Sequence, residues 1–148
     1  MSEDGEIRVN YQPRDQFLSF HRRQTRFACL VAHRRAGKTV ACVNELVARA
    51  IFSKKKRPRY AYIGPLLKQA KKIAWEYLKE YTSGLEAKKP SESELTIRLR
   101  HNEAEISIYG ADNPDAFRGQ YFDGVVLDEY GDMSPSVWSK VLLPTLGS

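Results

Sequence analysis

Apolar positions along this chain follow two patterns: short unbroken runs, and longer stretches in which apolar residues return every three or four positions. Phe27-Ala28-Cys29-Leu30-Val31 is the first unbroken run, entering a glycine-containing loop, and it predicts a fully buried parallel strand. Thr39 to Ile51 follows as a helix with apolar residues on most faces. Tyr60-Ala61-Tyr62-Ile63 predicts a second strand, cut off by Gly64-Pro65. After it, Leu67, Ala70, Ile73, Ala74 and Leu78 recur at helical spacing within Leu66 to Tyr81. Leu95 to Arg100 then alternates apolar and polar residues, His101-Asn102-Glu103 makes a turn, and Ala104 to Tyr109 returns, which predicts a β-hairpin. Gly124-Val125-Val126-Leu127 is the last strand, ending in Asp128-Glu129. Ser134 to Leu143 reads as a helix with Ser134 as cap and Pro135 at its first position.

Strands alternating with helices predict an α/β fold: a mostly parallel sheet flanked by helices, with the hairpin as an antiparallel edge. Residues 1–24 are polar and broken by Pro13. They read as an arm with a turn at Tyr11-Gln12-Pro13-Arg14 and a short amphipathic helix around Gln16 to Arg22. The 148 residues, 42% hydrophobic, suit a single domain, with the arm at 1–24 and the core at 25–148.

Composition narrows the picture modestly. No run approaches the length of about 18 apolar residues needed to span a bilayer, and the start Met1-Ser2-Glu3-Asp4-Gly5-Glu6 is acidic, so a soluble, cytosolic protein is expected, with no membrane partner. A formal charge of +6, from 24 basic and 18 acidic residues, favours polyanionic partners such as nucleotides and nucleic acid. The densest run, Lys54-Lys55-Lys56-Arg57-Pro58-Arg59, reads first as a solvated loop between a helix and a strand, with DNA contact or a localisation signal as the other readings. Cys29 and Cys42 both lie in apolar surroundings and are expected to be reduced thiols.

The chemistry begins at Ala32-His33-Arg34-Arg35-Ala36-Gly37-Lys38-Thr39. In a G-x-x-x-x-G-K-[ST] loop, backbone N–H groups wrap phosphates, the lysine meets the β and γ oxygens, and the hydroxyl coordinates magnesium. Alanine replaces the first glycine here, yet the loop follows an apolar strand and opens a helix, which aims a helix amino terminus at an anion. His33 to Thr39 are therefore the candidate ATP contacts, and Thr39 a candidate magnesium ligand. The alternative is a basic loop that merely caps a helix. At the far end, Asp128 closing a buried strand suits a carboxylate that holds the magnesium shell, and Glu129 becomes the candidate base that orients the attacking water; the alternative is a strand that ends in two solvated acids. Between hairpin and acidic strand, Asn113-Pro114-Asp115 marks a turn, and Arg118-Gly119 precedes the strand. On spacing alone Arg118 reads first as a solvated loop arginine, with projection from the edge of the nucleotide-binding face as the other reading.

Three segments together resemble the ATPase domain of the large terminase subunit, the DNA-packaging motor of tailed bacteriophages. They are Val31 to Thr39, Tyr62-Ile63-Gly64-Pro65 with Gln69-Ala70-Lys71 and Trp75, and Pro114-Asp115-Ala116-Phe117-Arg118-Gly119 leading into Val126-Leu127-Asp128-Glu129. The resemblance implies a P-loop NTPase fold of the RecA/ASCE-like kind that hydrolyses ATP with Mg2+ to translocate double-stranded DNA into a procapsid, in the cytoplasm of a bacterial host. It implies a homo-oligomeric ring, a portal protein and a small terminase subunit as partners. It further implies catalytic roles for Lys38 and Glu129, a cis role on the phosphates for Arg34, a trans-acting finger role for Arg118, and an adenine contact for Gln16. The family's coupling motif and RNase H-like nuclease domain have no counterpart before Ser148, so a truncated motor without DNA cleavage is expected.

The residues alone leave two other readings open. Gln16 upstream of Ala36-Gly37-Lys38-Thr39 suggests a helicase-like ATPase, although Asp128-Glu129-Tyr130-Gly131 does not continue as Asp-Glu-Ala-Asp or Asp-Glu-Ala-His. A non-enzymatic basic module whose loop contacts DNA phosphates is the third.

Overall fold

The β-branched and aromatic runs of the chain form four strands, and a computed structural model places them in one sheet, describing residue 7, residues 9–23 and residues 37–142. The expected strand Phe27–Val31, the loop residues Ala32 to Ala36, Cys29 and Leu143 lie outside the described residues. Strands β1 (Arg59–Gly64), β2 (Thr96–Arg98), β3 (Glu105–Gly110) and β4 (Gly124–Leu127) stand in the order β2-β3-β1-β4. β1 runs parallel to both β3 and β4, and β2 runs antiparallel to β3 at the edge, as the hairpin pattern predicts.

Side-chain alternation along β1 builds both halves of the core. Tyr60 and Tyr62 face one cluster with Ile106, Ile108 and Val126, and helices cover that face. Ala61 and Ile63 face a second cluster with Phe117, Phe122, Met133, Val125 and Leu127. β1 is thus buried on both faces, which explains its unbroken apolar run. Each large side chain so enclosed contributes roughly 1.5–3 kcal/mol.

Helix α1 (Leu18–Arg22) follows a 3-10 turn at Asp15–Phe17 and closes the amino-terminal arm. Helix α2 (Lys38–Phe52) packs Val43, Leu46, Val47, Ala50 and Ile51 against the sheet. Its last carbonyls, left without intrahelical partners, accept bonds from the hairpin turn: Asn102 Nδ2 reaches Ala50 O at 2.8 Å, and His101 Nε2 lies 2.9 Å from Ile51 O. The hairpin therefore stops α2 as well as extending the sheet.

The helix expected over Leu66 to Tyr81 forms in three pieces: α3 (Leu67–Ala70), a wide π-type turn (Lys71–Trp75) and α4 (Glu76–Thr82). Its buried face differs from the predicted one. Leu67 and Ile73 are exposed at 38% and 44%, whereas Ala70, Ala74, Trp75 and Leu78 are buried. The extra residue in the π turn shifts the helical phase and carries Trp75 inward, where its indole N–H donates to Glu92 Oε2 at 2.6 Å. A π-type turn also forms over Val137–Leu142, where a regular helix is expected. The basic run after α2 is a loop, as predicted: Lys55 pairs with Asp123 at 2.7 Å and Arg57 with Glu103 at 2.8 Å.

Candidate functional site

Three parallel strands end at the same edge of the sheet, where open α/β folds accommodate ligands. The chain approaches itself closely there. A Cβ on Gly110 would stand 2.2 Å from Asp112 Oδ1 and 2.3 Å from Leu67 N, so only glycine fits between the end of β3 and the start of α3. Asp112 Oδ1 accepts the Leu67 N–H at 3.1 Å and fixes the loop that crosses this edge.

Register decides which side chains meet. Tyr62 pairs with Val126 across β1 and β4, and Asp128 lies two residues further on the same face. Asp128 N donates to Ile63 O at 2.9 Å, which prolongs the ladder by one bond. The buried Tyr62 hydroxyl donates to Asp128 Oδ2. Thr39, in the first turn of α2, also lies beside the Tyr62 hydroxyl, close enough for its side chain to oppose the rise of the phenol. Burial first, then the Asp128 carboxylate, pushes the Tyr62 phenol far above its ordinary range, so it stays protonated as a donor.

Lys38 opens α2, preceded by Gly37 in the left-handed conformation at φ 86°. The first N–H groups of a helix have no intrahelical partner, and Gly37 has no side chain to cap them. This amino terminus therefore suits an anion. The arm lies against it: the Arg14 guanidinium carbon is 3.3 Å from where a Cβ on Gly37 would stand. One turn on, burial pushes the Cys42 thiol up to about 12, with Asp128 adding to the rise and Lys38 opposing it. Both charged groups thus act on one point of α2.

Thr39 and Asp128 offer a hydroxyl and a carboxylate, both hard oxygen donors, converging on one phenol. Such a pair, completed by water and phosphate oxygens, suits Mg2+, which seldom takes an all-protein cage. No cluster of three or more His, Cys, Asp or Glu residues that would favour another metal occurs among the described residues.

Glu129 follows Asp128 but is exposed and left-handed, at φ 52° and ψ 46°, where it starts the turn Tyr130–Asp132. Arg118 is exposed and pairs with Asp115 at 3.4 Å. Its neighbour Phe117 is fully buried against Tyr109 at 5.5 Å, so the loop is anchored while the arginine faces solvent. Neither side chain is drawn into the Thr39–Tyr62–Asp128 group by a described hydrogen bond. His33, Arg34, Arg35 and Ala36 lie outside the described residues.

A pocket of about 260 Å³ opens beside Gly37 and Val40, walled by the arm residues Asn10, Tyr11, Gln12, Arg14 and Phe17 and by Tyr81 of α4. Gln16, expected to contact a base, is exposed and does not line this pocket, whereas Gln12 does. Gln12 stands directly before Pro13 in the predicted turn, which is the signal that placed it in the arm without assigning it a role. Tyr62 was hidden differently: inside an apolar run, an aromatic residue reads as core, and only strand register brings its hydroxyl to Asp128.

The family model described as terminase large subunit, T4likevirus-type, N-terminal, matches residues 29–143. Among solved structures, the large terminase ATPase domain of Thermus phage P74-26 is 25% identical with a TM-score of 0.77, covering 93% of this chain and 61% of that one. The large terminase of the thermophilic bacteriophage D6E is 20% identical with a TM-score of 0.61, covering 72% of this chain and 27% of that one. The same D6E protein in complex with ATP-gamma-S matches at 18% identity with a TM-score of 0.58, covering 72% of this chain and 26% of that one. The chain thus spans about 61% of the P74-26 ATPase domain. No curated protein matches it. Among the described residues, no helix is long and apolar enough to cross a membrane.

Proposed function

The chain belongs to the family of T4likevirus-type terminase large subunits, and on that premise we propose that it is an ATP-hydrolysing motor domain that drives double-stranded DNA into a viral procapsid. The observation that carries the reading is the meeting of Thr39 and Asp128 on the Tyr62 hydroxyl beside the open amino terminus of α2. In this reading the N–H groups at Gly37 and Lys38, with His33, Arg34, Arg35 and Ala36, cradle the triphosphate, and the Lys38 ammonium meets its β and γ oxygens. Thr39 and Asp128 hold Mg2+. An ion held there would supply neutralisation of the charge that builds on the phosphates during transfer. Glu129 orients and deprotonates the attacking water, Arg34 acts on the phosphates in cis, and Arg118, already facing solvent, serves the nucleotide of a neighbouring subunit. The base occupies the pocket beside Gly37, with the pocket-lining Gln12, in place of the expected Gln16, as its amide contact. That the D6E large terminase has been solved with ATP-gamma-S supports the choice of nucleotide.

A homo-oligomeric ring acting with a portal protein and a small terminase subunit, in the cytoplasm of a bacterial host, is the setting this reading assigns. The test is magnesium-dependent binding of a non-hydrolysable ATP analogue, followed by turnover. Lys38→Ala should abolish binding, whereas Glu129→Gln should retain binding and lose hydrolysis by at least about a hundredfold. Salt-sensitive DNA binding with no nucleotide binding at all would overturn the reading in favour of a basic DNA-binding module.

A further inference from the structure

Glu45 is a carboxylate on α2 with only 5% of its surface exposed, a costly position unless every oxygen is satisfied. Three partners satisfy it. Arg23 Nη1 donates to Oε1 at 2.7 Å, Arg49 Nε donates to the same oxygen at 2.9 Å, and His21 Nδ1 meets Oε2 at 2.7 Å. Burial alone would raise the Glu45 carboxyl, but the bonds from His21, Arg49 and Arg23 outweigh it and hold the group below its ordinary range. Glu45 is therefore a fixed anion at pH 7.

A fixed anion orients whatever donates to it. With the carboxylate at Nδ1, the other ring nitrogen of His21, Nε2, faces the Tyr11 hydroxyl at 2.8 Å. Tyr11 is thereby tied, through His21, to the helix whose first turn carries Lys38 and Thr39. Its ring also packs edge-on against Tyr81 at 5.9 Å, and both rings wall the 260 Å³ pocket beside Gly37. The pocket has the scale of one base rather than a whole nucleotide.

We propose that Glu45, His21 and Tyr11 form a positioning relay that holds the base-binding wall in register with the phosphate end of the site. The proposal rests on the nucleotide reading given above. Glu45 and His21 touch no ligand in this scheme; they act through Tyr11, which does. The relay sets affinity for the base and leaves the triphosphate contacts untouched.

The experiment compares binding of ATP and of inorganic tripolyphosphate, both with magnesium, to the full chain. The proteins are wild type, Tyr11→Phe, His21→Leu and the double variant. Tyr11→Phe removes one hydroxyl from an otherwise intact fold, and tripolyphosphate binding reports that each variant retains its phosphate site. Each single variant should weaken ATP binding by about fivefold, the worth of one net hydrogen bond, with tripolyphosphate binding unchanged. The double variant should be no weaker than His21→Leu, because both changes break the same chain. Additive losses, equal losses for both ligands, or unchanged ATP affinity would each overturn the relay. Wild type that binds neither ligand would bring down the nucleotide reading itself, and the relay with it.

Discussion

Replacing Tyr62 by phenylalanine removes a single hydroxyl from the centre of the site and leaves the packing of β1 intact. The ring is 2% exposed, so the substitution opens almost no cavity. What disappears is a donor to the Asp128 carboxylate beside the Thr39 side chain. A hydrogen bond to a charged group is worth about 1.5–3 kcal/mol. Asp128 is only partly buried, so water recovers part of that loss, and the lower end of the range, about 1.5 kcal/mol, applies. For a domain of this size the thermal midpoint should fall by about 3–6 °C.

The diagnostic result lies in how that gap responds to ligand. In the proposed reading magnesium with ATP would engage the same Asp128 and Thr39 oxygens, so the Tyr62 hydroxyl would contribute less to the loaded protein than to the free one. The difference in midpoint between wild type and Tyr62→Phe should therefore shrink with Mg-ATP and stay unchanged with ATP in EDTA. Differential scanning fluorimetry across a magnesium series reads this directly. A gap that is the same with and without Mg-ATP would refute the placement of Thr39 and Asp128 on one ion, whatever happens to turnover.

Two further outcomes follow from the same geometry. Gly110→Ala places a methyl 2.2 Å from Asp112 Oδ1 and 2.3 Å from Leu67 N, whereas a Cβ at Gly131 meets nothing within 4 Å. Overpacking of this kind costs about 1–3 kcal/mol, so Gly110→Ala should lower the thermal midpoint by about 2–12 °C while Gly131→Ala leaves it nearly unmoved. Glu45 has a depressed folded pKa, so its stabilisation is complete above the ordinary carboxyl value of 4.5 and is lost as pH falls from there through the folded value. The thermal advantage of wild type over Glu45→Gln should accordingly be constant above that value and close below it. A gap that widens on acidification would contradict the assignment.

Much of the architecture was legible because burial imposes period on the sequence. β1, β4 and the hairpin were read from runs and alternation, and α2 from its apolar faces, to within a residue or two. The π turn at Lys71–Trp75 was not legible, because one added residue shifts the phase of a helix while leaving its apolar count unchanged. Of the candidate site, Lys38, Thr39 and Asp128 are proposed from a motif and a strand end. Tyr62, Glu45, His21 and Tyr11 are not, since their roles depend on neighbours 66, 24 and 10 residues away. A glutamate among the apolar positions of α2 was the one visible hint. A charge there must be paired, but the sequence does not say with what.

The backbone at the end of β4 explains why the two adjacent carboxylates occupy different settings. Val126 faces the cluster of α2, and Val125 and Leu127 face the opposite one, so a strand prolonged past Asp128 would send Glu129 to the face away from Thr39. The strand is not prolonged. Glu129 adopts φ 52°, a conformation that costs an L-residue roughly 1–2 kcal/mol. The turn that follows supports it through the Asp132 N–H to the Glu129 carbonyl at 2.9 Å and through Met133, buried at 7% exposure. One left-handed residue thus separates a carboxylate held by Tyr62 from one delivered to solvent at the strand edge. In the proposed reading a metal ligand would use the first setting and a base that meets an incoming water the second, and the left-handed turn at this single residue lets consecutive positions offer both.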